Sequence, residues 1–190
     1  MSSEKNRSDA LAMRAVAHPV RLDLLSLLDR EGPLTASRCA EALGLTPKVC
    51  SYHLTQLGKY GLIEETGDGK GRARPWRLVV SSLDYVHGSD ETEDLSTAAD
   101  QYVRTMVGRD ARIVESFVDH RAALPRKWRN VATMSSNPLR LSPTQLRALG
   151  SDLISTLDRY RKLSENPDPD AHPVQVALYA VPVELTDLTR

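Results

Sequence analysis

Four polar residues between Thr46 and Tyr60 are spaced so that a helix would gather them. Lys48, Ser51, Tyr52 and Thr55 fall on one helical face, while Cys50, His53, Leu54 and Leu57 fall on the opposite one. Three hydroxyls and an ammonium on one face form a hydrogen-bonding surface, with no nucleophile–base pair among them. Hydroxyls donate to or accept from base edges, and a lysine near a helix N-terminus reaches guanine or phosphate. The face is therefore expected to meet the major groove of DNA, with Thr46 and Pro47 opening the helix and first-turn N–H groups at Thr46–Lys48 available to a phosphate. A second set of cations follows in Gly67-Asp68-Gly69-Lys70-Gly71-Arg72. Lys70, Arg72 and Arg74 lie at the tip and returning strand of the hairpin that these glycines indicate, with Arg77 just behind. They are expected to neutralise phosphates or enter the minor groove, setting affinity more than sequence choice.

The elements that must position these groups can be read from breakers and caps. A first helix is expected from about Ser8 to Ala17, ended by His18-Pro19. A second starts with Pro19 and runs to about Arg30 over Val20, Leu24, Leu27 and Leu28, stopped by Gly32-Pro33. Thr35 is placed to cap a short third helix through Leu43, and Thr46 to cap a fourth from Pro47 to about Tyr60. Strands are expected at Leu62–Thr66 and Ala73–Val80, then an acidic linker at Ser81–Asp94. A long helix follows, Leu95–Leu124, with Leu95, Ala99, Tyr102, Met106, Ile113 and Phe117 as a stripe wide enough for a partner helix and a kink anticipated at Gly108. With the first helix, it is the expected dimer interface.

The last third reads as a small α+β module over 125–190. One or two short strands are expected in Trp128–Leu141. Ser142-Pro143-Thr144-Gln145 has the form of a capping box opening a helix with the stripe Leu146, Leu149, Leu153, Leu157, Tyr160. Val174–Val181 is apolar on nearly every residue and is expected as a strand buried on both faces beneath that helix. The fold class is thus mainly α with an α+β extension: a winged helix-turn-helix at 8–80, a linker at 81–94, a long helix at 95–124 and the module at 125–190.

The first 80 residues resemble the ArsR family of winged-helix repressors. The resemblance rests on AVAHPVRLDLLSLL (15–28), ASRCAEALGLTPKVCSYHLTQLGKYGLIEE (36–65) and GDGKGRARPWRLV (67–79). It implies a bacterial homodimer binding an inverted repeat, usually as a repressor released by an effector. Metal-sensing members carry cysteines at the start of the third helix. Here those two positions are Thr35 and Ser37, while Cys39 falls on the apolar core face, so the resemblance does not extend to that metal site.

Composition bounds the rest. The 190 residues carry no net charge, but 1–80 is at +3, 81–124 at −5 and 125–190 at +2. The opening MSSEKNRSDA is polar, and no run approaches the ~18 apolar residues of a membrane span, so a cytoplasmic protein without a membrane partner is expected. Cys39 and Cys50 lack CxxC spacing and read as small core residues; His53 reads as packed or as a phosphate contact; His18, His87, His120 and His172 form no ligand spacing. No cofactor or metal is expected. A nucleotide-binding glycine turn, a nucleophile elbow and HExxH are absent, which argues against an enzyme. Two alternatives stay open: a winged-helix protein–protein interaction module, and a thiol- or metal-responsive regulator using Cys39 and Cys50. A small-molecule effector is also left open.

Overall fold

The computed structural model describes residues 10–67, 74–79, 93–164 and 166–183. Helix α1 is described over residues 10–16, α2 spans Pro19–Glu31, α3 Ala36–Leu43 and α4 Pro47–Lys59. Strands β1 (Ile63–Glu65) and β2 (Trp76–Leu78) pair antiparallel, Glu64 opposite Arg77, and are followed by α5 (Glu93–His120), a single 3-10 turn, α6 (Arg126–Arg129) and α7 (Pro143–Ser164). The chain divides into two units, Met1–Glu115 and Ser116–Arg190. The architecture is mainly helical, with one small antiparallel sheet after the helix-turn-helix and an extension beyond it.

In the first unit the anticipated caps form. Thr35 Oγ1 accepts the Arg38 N–H at 3.3 Å, and Thr46 Oγ1 accepts the Val49 N–H at 3.3 Å. Between them Gly44, at φ 64°, takes the left-handed turn that reverses the chain from α3 into α4. The helices close on a core in which Val16, Leu24, Leu27, Leu28, Cys39, Cys50, Leu54, Leu57 and Ile63 are fully buried. The hairpin is tied back into this core through Trp76. Its backbone exchanges two hydrogen bonds with Leu34, at 2.8 and 3.0 Å, and its ring packs over Gly58 of α4.

The N-terminal half of α5 belongs to the same unit. Leu95 and Ala98 pack with Ala10, and Tyr102 enters the main core, so half of the stripe assigned to a dimer interface is covered by the chain itself. Arg109 adds an ion pair, its Nε donating to Asp23 Oδ1 at 2.9 Å and tying α5 to α2. The helix starts at Glu93, taking Asp94 from the expected linker into its first turn, where Asp94 pairs with Arg14. It continues through Gly108, and its last turn tightens at Arg121–Ala123. Residues 68–73 and 80–92, with the wing tip and most of the linker, lie outside the described residues.

The second unit departs from expectation. The capping box forms, Ser142 Oγ accepting the Gln145 N–H at 3.3 Å and Gln145 Oε1 accepting the Ser142 N–H at 2.9 Å. But Trp128–Leu141 holds the end of α6 and then irregular backbone in place of strands, and Val174–Val181 is exposed throughout with no strand ladder. A strand needs a neighbour for its N–H and C=O groups, and the described residues of one copy provide none at either place. Nor does α7 bury any side chain.

One polar pair lies inside the first unit. The rings of His18, before α2, and His53, on α4, lie 4.5 Å apart at a 40° tilt, and both Nδ1 atoms are buried without a hydrogen-bond partner. Burial lowers both pKa values, with the Arg21 cation contributing to each and His18 contributing to His53. Histidines whose folded pKa is depressed leave the unfolded chain to take protons first as pH falls through about 6.5. Stability is therefore expected to be complete above that pH and to decline below it. The urea midpoint should fall between pH 7.5 and pH 5, and H53Q should flatten the slope; an unchanged slope would remove the pair from the explanation.

Gly58 gives a second test. A Cβ there would sit 2.7 Å from Trp76 Cζ3 and 3.2 Å from Cη2. In an open helix glycine-to-alanine gains about 1 kcal/mol, whereas forcing the ring aside costs roughly 1–3 kcal/mol. G58A is expected to destabilise in urea unfolding, and a gain in stability would show that the ring yields freely.

Candidate nucleic-acid interface

Helix α4 has two unlike sides. Cys50, Leu54 and Leu57 are fully buried against α2 and α3, and that anchoring fixes which residues face out. Thr46, Pro47, Lys48, Ser51, Tyr52 and Thr55 are all exposed, with Tyr52 at 61 %. The structure thus brings together, on one face, the six site residues that the sequence placed on this helix.

The chemistry of that face is narrower than the residue types imply. Thr55 Oγ1 donates its proton to the Ser51 carbonyl at 2.8 Å, so toward an incoming ligand this hydroxyl acts as an acceptor. Pro47 has no N–H and the Val49 N–H is taken by Thr46, which leaves few first-turn backbone donors for an anion. Tyr52 lies edge-on to the His53 ring at 5.1 Å, so that ring contacts it from the buried side. His53 itself is buried and faces inward rather than toward a ligand.

Val49 is a residue on this rim that the sequence pattern does not single out. It is 38 % exposed and stands beside Lys48 and three residues before Tyr52, an apolar group on an otherwise polar rim. The i, i+3 relation to Tyr52 was the available signal. Valine on a helix is ordinarily assigned to the core side, which hides it in the sequence.

On the hairpin, the strand cations are engaged within the molecule. Arg74 Nη1 donates to Glu65 Oε2 at 2.9 Å, and Arg77 pairs with Glu64 across the ladder. The Glu65 carboxylate raises the Arg74 pKa still further, so this guanidinium is permanently charged but already partnered. Arg74 is exposed; Lys70 and Arg72 lie outside the described residues.

The cysteines do not form a reactive site. Both are fully buried, and burial pushes the Cys39 thiol up to about 11, with neighbouring Cys50 adding to the rise. Burial raises Cys50 as well. Thiolates are the reacting and metal-binding form, and this environment suppresses them. Among the described residues no cluster of three or more His, Cys, Asp or Glu is placed to hold a metal ion, and no helix is long and apolar enough to cross a membrane.

None of the curated proteins matches the chain. Residues 16–66, from the end of α1 through β1, match the family model described as a helix-turn-helix domain, the kind of unit from which DNA-binding transcription regulators are built.

Proposed function

We propose that the protein is a transcription regulator that binds an inverted repeat in DNA as a homodimer, reading bases with α4 and holding phosphates with the hairpin. The observation that carries this reading is the outward face of α4: Lys48, Ser51, Tyr52 and Thr55 are exposed together while the leucines behind them are locked into the core. Ser51 and Tyr52 offer hydroxyls to base edges, Thr55 accepts, and Val49 presents methyl groups suited to a thymine methyl. Lys70, Arg72 and Arg74 supply backbone contacts. The reading is of a binding protein rather than an enzyme.

Two copies are needed because a single four-turn helix covers only one half-site, and dimers place two recognition helices about 34 Å apart, one turn of duplex. In the first unit, α5 leaves Val107, Ala111 and Val114 exposed at spacings of four and three, which is a seam for the equivalent helix of a second copy. The resemblance to ArsR-family repressors supports the same assembly and a repressing output in a bacterial cytoplasm. A regulatory ligand would act by favouring one separation of the two α4 helices over another. A thiol-responsive mechanism is disfavoured by the burial of Cys39 and Cys50. A protein-docking winged helix is disfavoured by the hydroxyl and lysine face.

Binding to a nonspecific duplex at 50 and 200 mM salt tests the DNA reading, because a phosphate-binding protein loses affinity steeply over that range. K48A and R72A should weaken all sequences alike and lower the salt slope by about 1 each. S51A or Y52A should instead change the preference among selected sites, each worth about 1–3 kcal/mol of discrimination. Uniform losses from both groups would remove the division of labour, and salt-independent binding would remove the DNA reading altogether.

A further inference from the structure

Among the described residues, three side-chain nitrogens are buried in the first unit without a hydrogen-bond partner: His18 Nδ1, Arg21 Nε and His53 Nδ1. They belong to one cluster, where α2 enters the core against α4. The two rings lie 4.5 Å apart, Arg21 stands one turn along α2 from His18, and its cation acts on both rings. The cluster holds no acid. Arg21 Nε can only donate, and the charges that shift the two rings are Arg21 and, for His53, His18. Charged groups on the neighbouring elements are engaged elsewhere: Arg14 of α1 with Asp94, Arg38 of α3 with Glu41, and Arg109 of α5 with Asp23 and Asp110. An imidazolium formed here would be a buried charge beside a like charge, which is costlier than an unpartnered neutral ring. A proton can therefore be held only if a ring moves.

The two rings differ in their freedom to do so. His53 is 9 % exposed and sits within α4, so it cannot turn out without carrying the helix. His18 precedes α2 on extended backbone, is partly exposed, and its side chain makes no capping bond. Rotation of that one side chain is enough to reach water. On its other flank His53 meets Tyr52 edge-on at 5.1 Å, which connects the cluster to the exposed face of α4. We infer that the His18–His53 pair is a proton-binding switch coupled to that face: a proton taken up by His18 turns its ring into solvent, water enters against His53, and Tyr52 loses its fixed neighbour. Both rings are held below the ordinary histidine pKa, so the closed pair is complete at neutral pH and opens as pH falls below about 6.5. Site preference is what is lost, because the added positive charge favours the duplex backbone whatever its sequence. The output of the switch rests on the DNA-binding reading; the movement of the rings does not.

Two measurements on the full chain between pH 7.5 and 5.5 test it. In NMR spectra the ring signals of Tyr52 should shift with the same midpoint as those of His18, with helix content unchanged. In duplex binding, the ratio of affinities for a selected site and a scrambled one should fall about tenfold, while the affinity for the scrambled duplex holds or rises. H18Q, which places a neutral side chain at the partly exposed position, should keep the ratio constant over the same range. Tyr52 signals that stay fixed while His18 titrates would overturn the coupling. A constant ratio in the parent protein, or the same fall in H18Q, would overturn the assignment to this pair. Loss of helix content with the same midpoint would overturn it as unfolding. A chain that binds no duplex at any pH would overturn the DNA reading, and the Tyr52 titration would then decide the switch alone.

Discussion

The approach of Trp76 to Gly58 is the constraint on which the geometry of the first unit rests. A ring within van der Waals reach of a helix backbone is possible only where the helix carries no side chain. The same tryptophan is hydrogen-bonded on its backbone to Leu34, ahead of α3, and is paired with Glu65 in the hairpin. One residue therefore ties the start of the helix-turn-helix, the outward-facing helix and the hairpin into a single frame. The polar face of α4 and the hairpin arginines hold their relation to each other because that frame is packed rather than merely connected.

The histidine pair works on the middle of the same helix. His53 turns inward from the residue next to Tyr52 and rests on His18, at the entry to α2. Burying both rings costs polar satisfaction, since both Nδ1 atoms go without a partner. What is gained is a rigid backing for an exposed tyrosine. Aromatic packing thus supports the middle of α4, and the Gly58 contact its last turns.

Much of the first unit was legible because its determinants are local. Thr35, Thr46, Pro47 and Gly44 specify caps and a turn through groups at most a few residues away, and the observed bonds match. The outward set on α4 followed from helical periodicity alone. What periodicity cannot say is who covers an apolar stripe. Leu95, Ala99 and Tyr102 looked like half of a dimer interface, yet they serve their own unit, and only the spatial position of Ala10 and α2 decides that. Val174–Val181 failed for the complementary reason: composition signals a strand, but a strand is a property of two segments. The pairing of Arg74 with Glu65 was equally hidden, because it depends on a register that the glycine-rich turn does not fix by itself.

The two glutamates of β1 carry a further consequence. Glu64 and Glu65 act as internal counterions for the strand arginines, so at this part of the hairpin the protein brings its own anions. For a duplex-binding protein, losing either carboxylate frees a guanidinium without altering any side chain that faces a base. Under the DNA-binding reading proposed above, overall grip and choice of target would be encoded by different residues. In the proposed DNA-binding role, a single substitution on β1 would then retune how tightly phosphates are held while leaving the α4 face as it is.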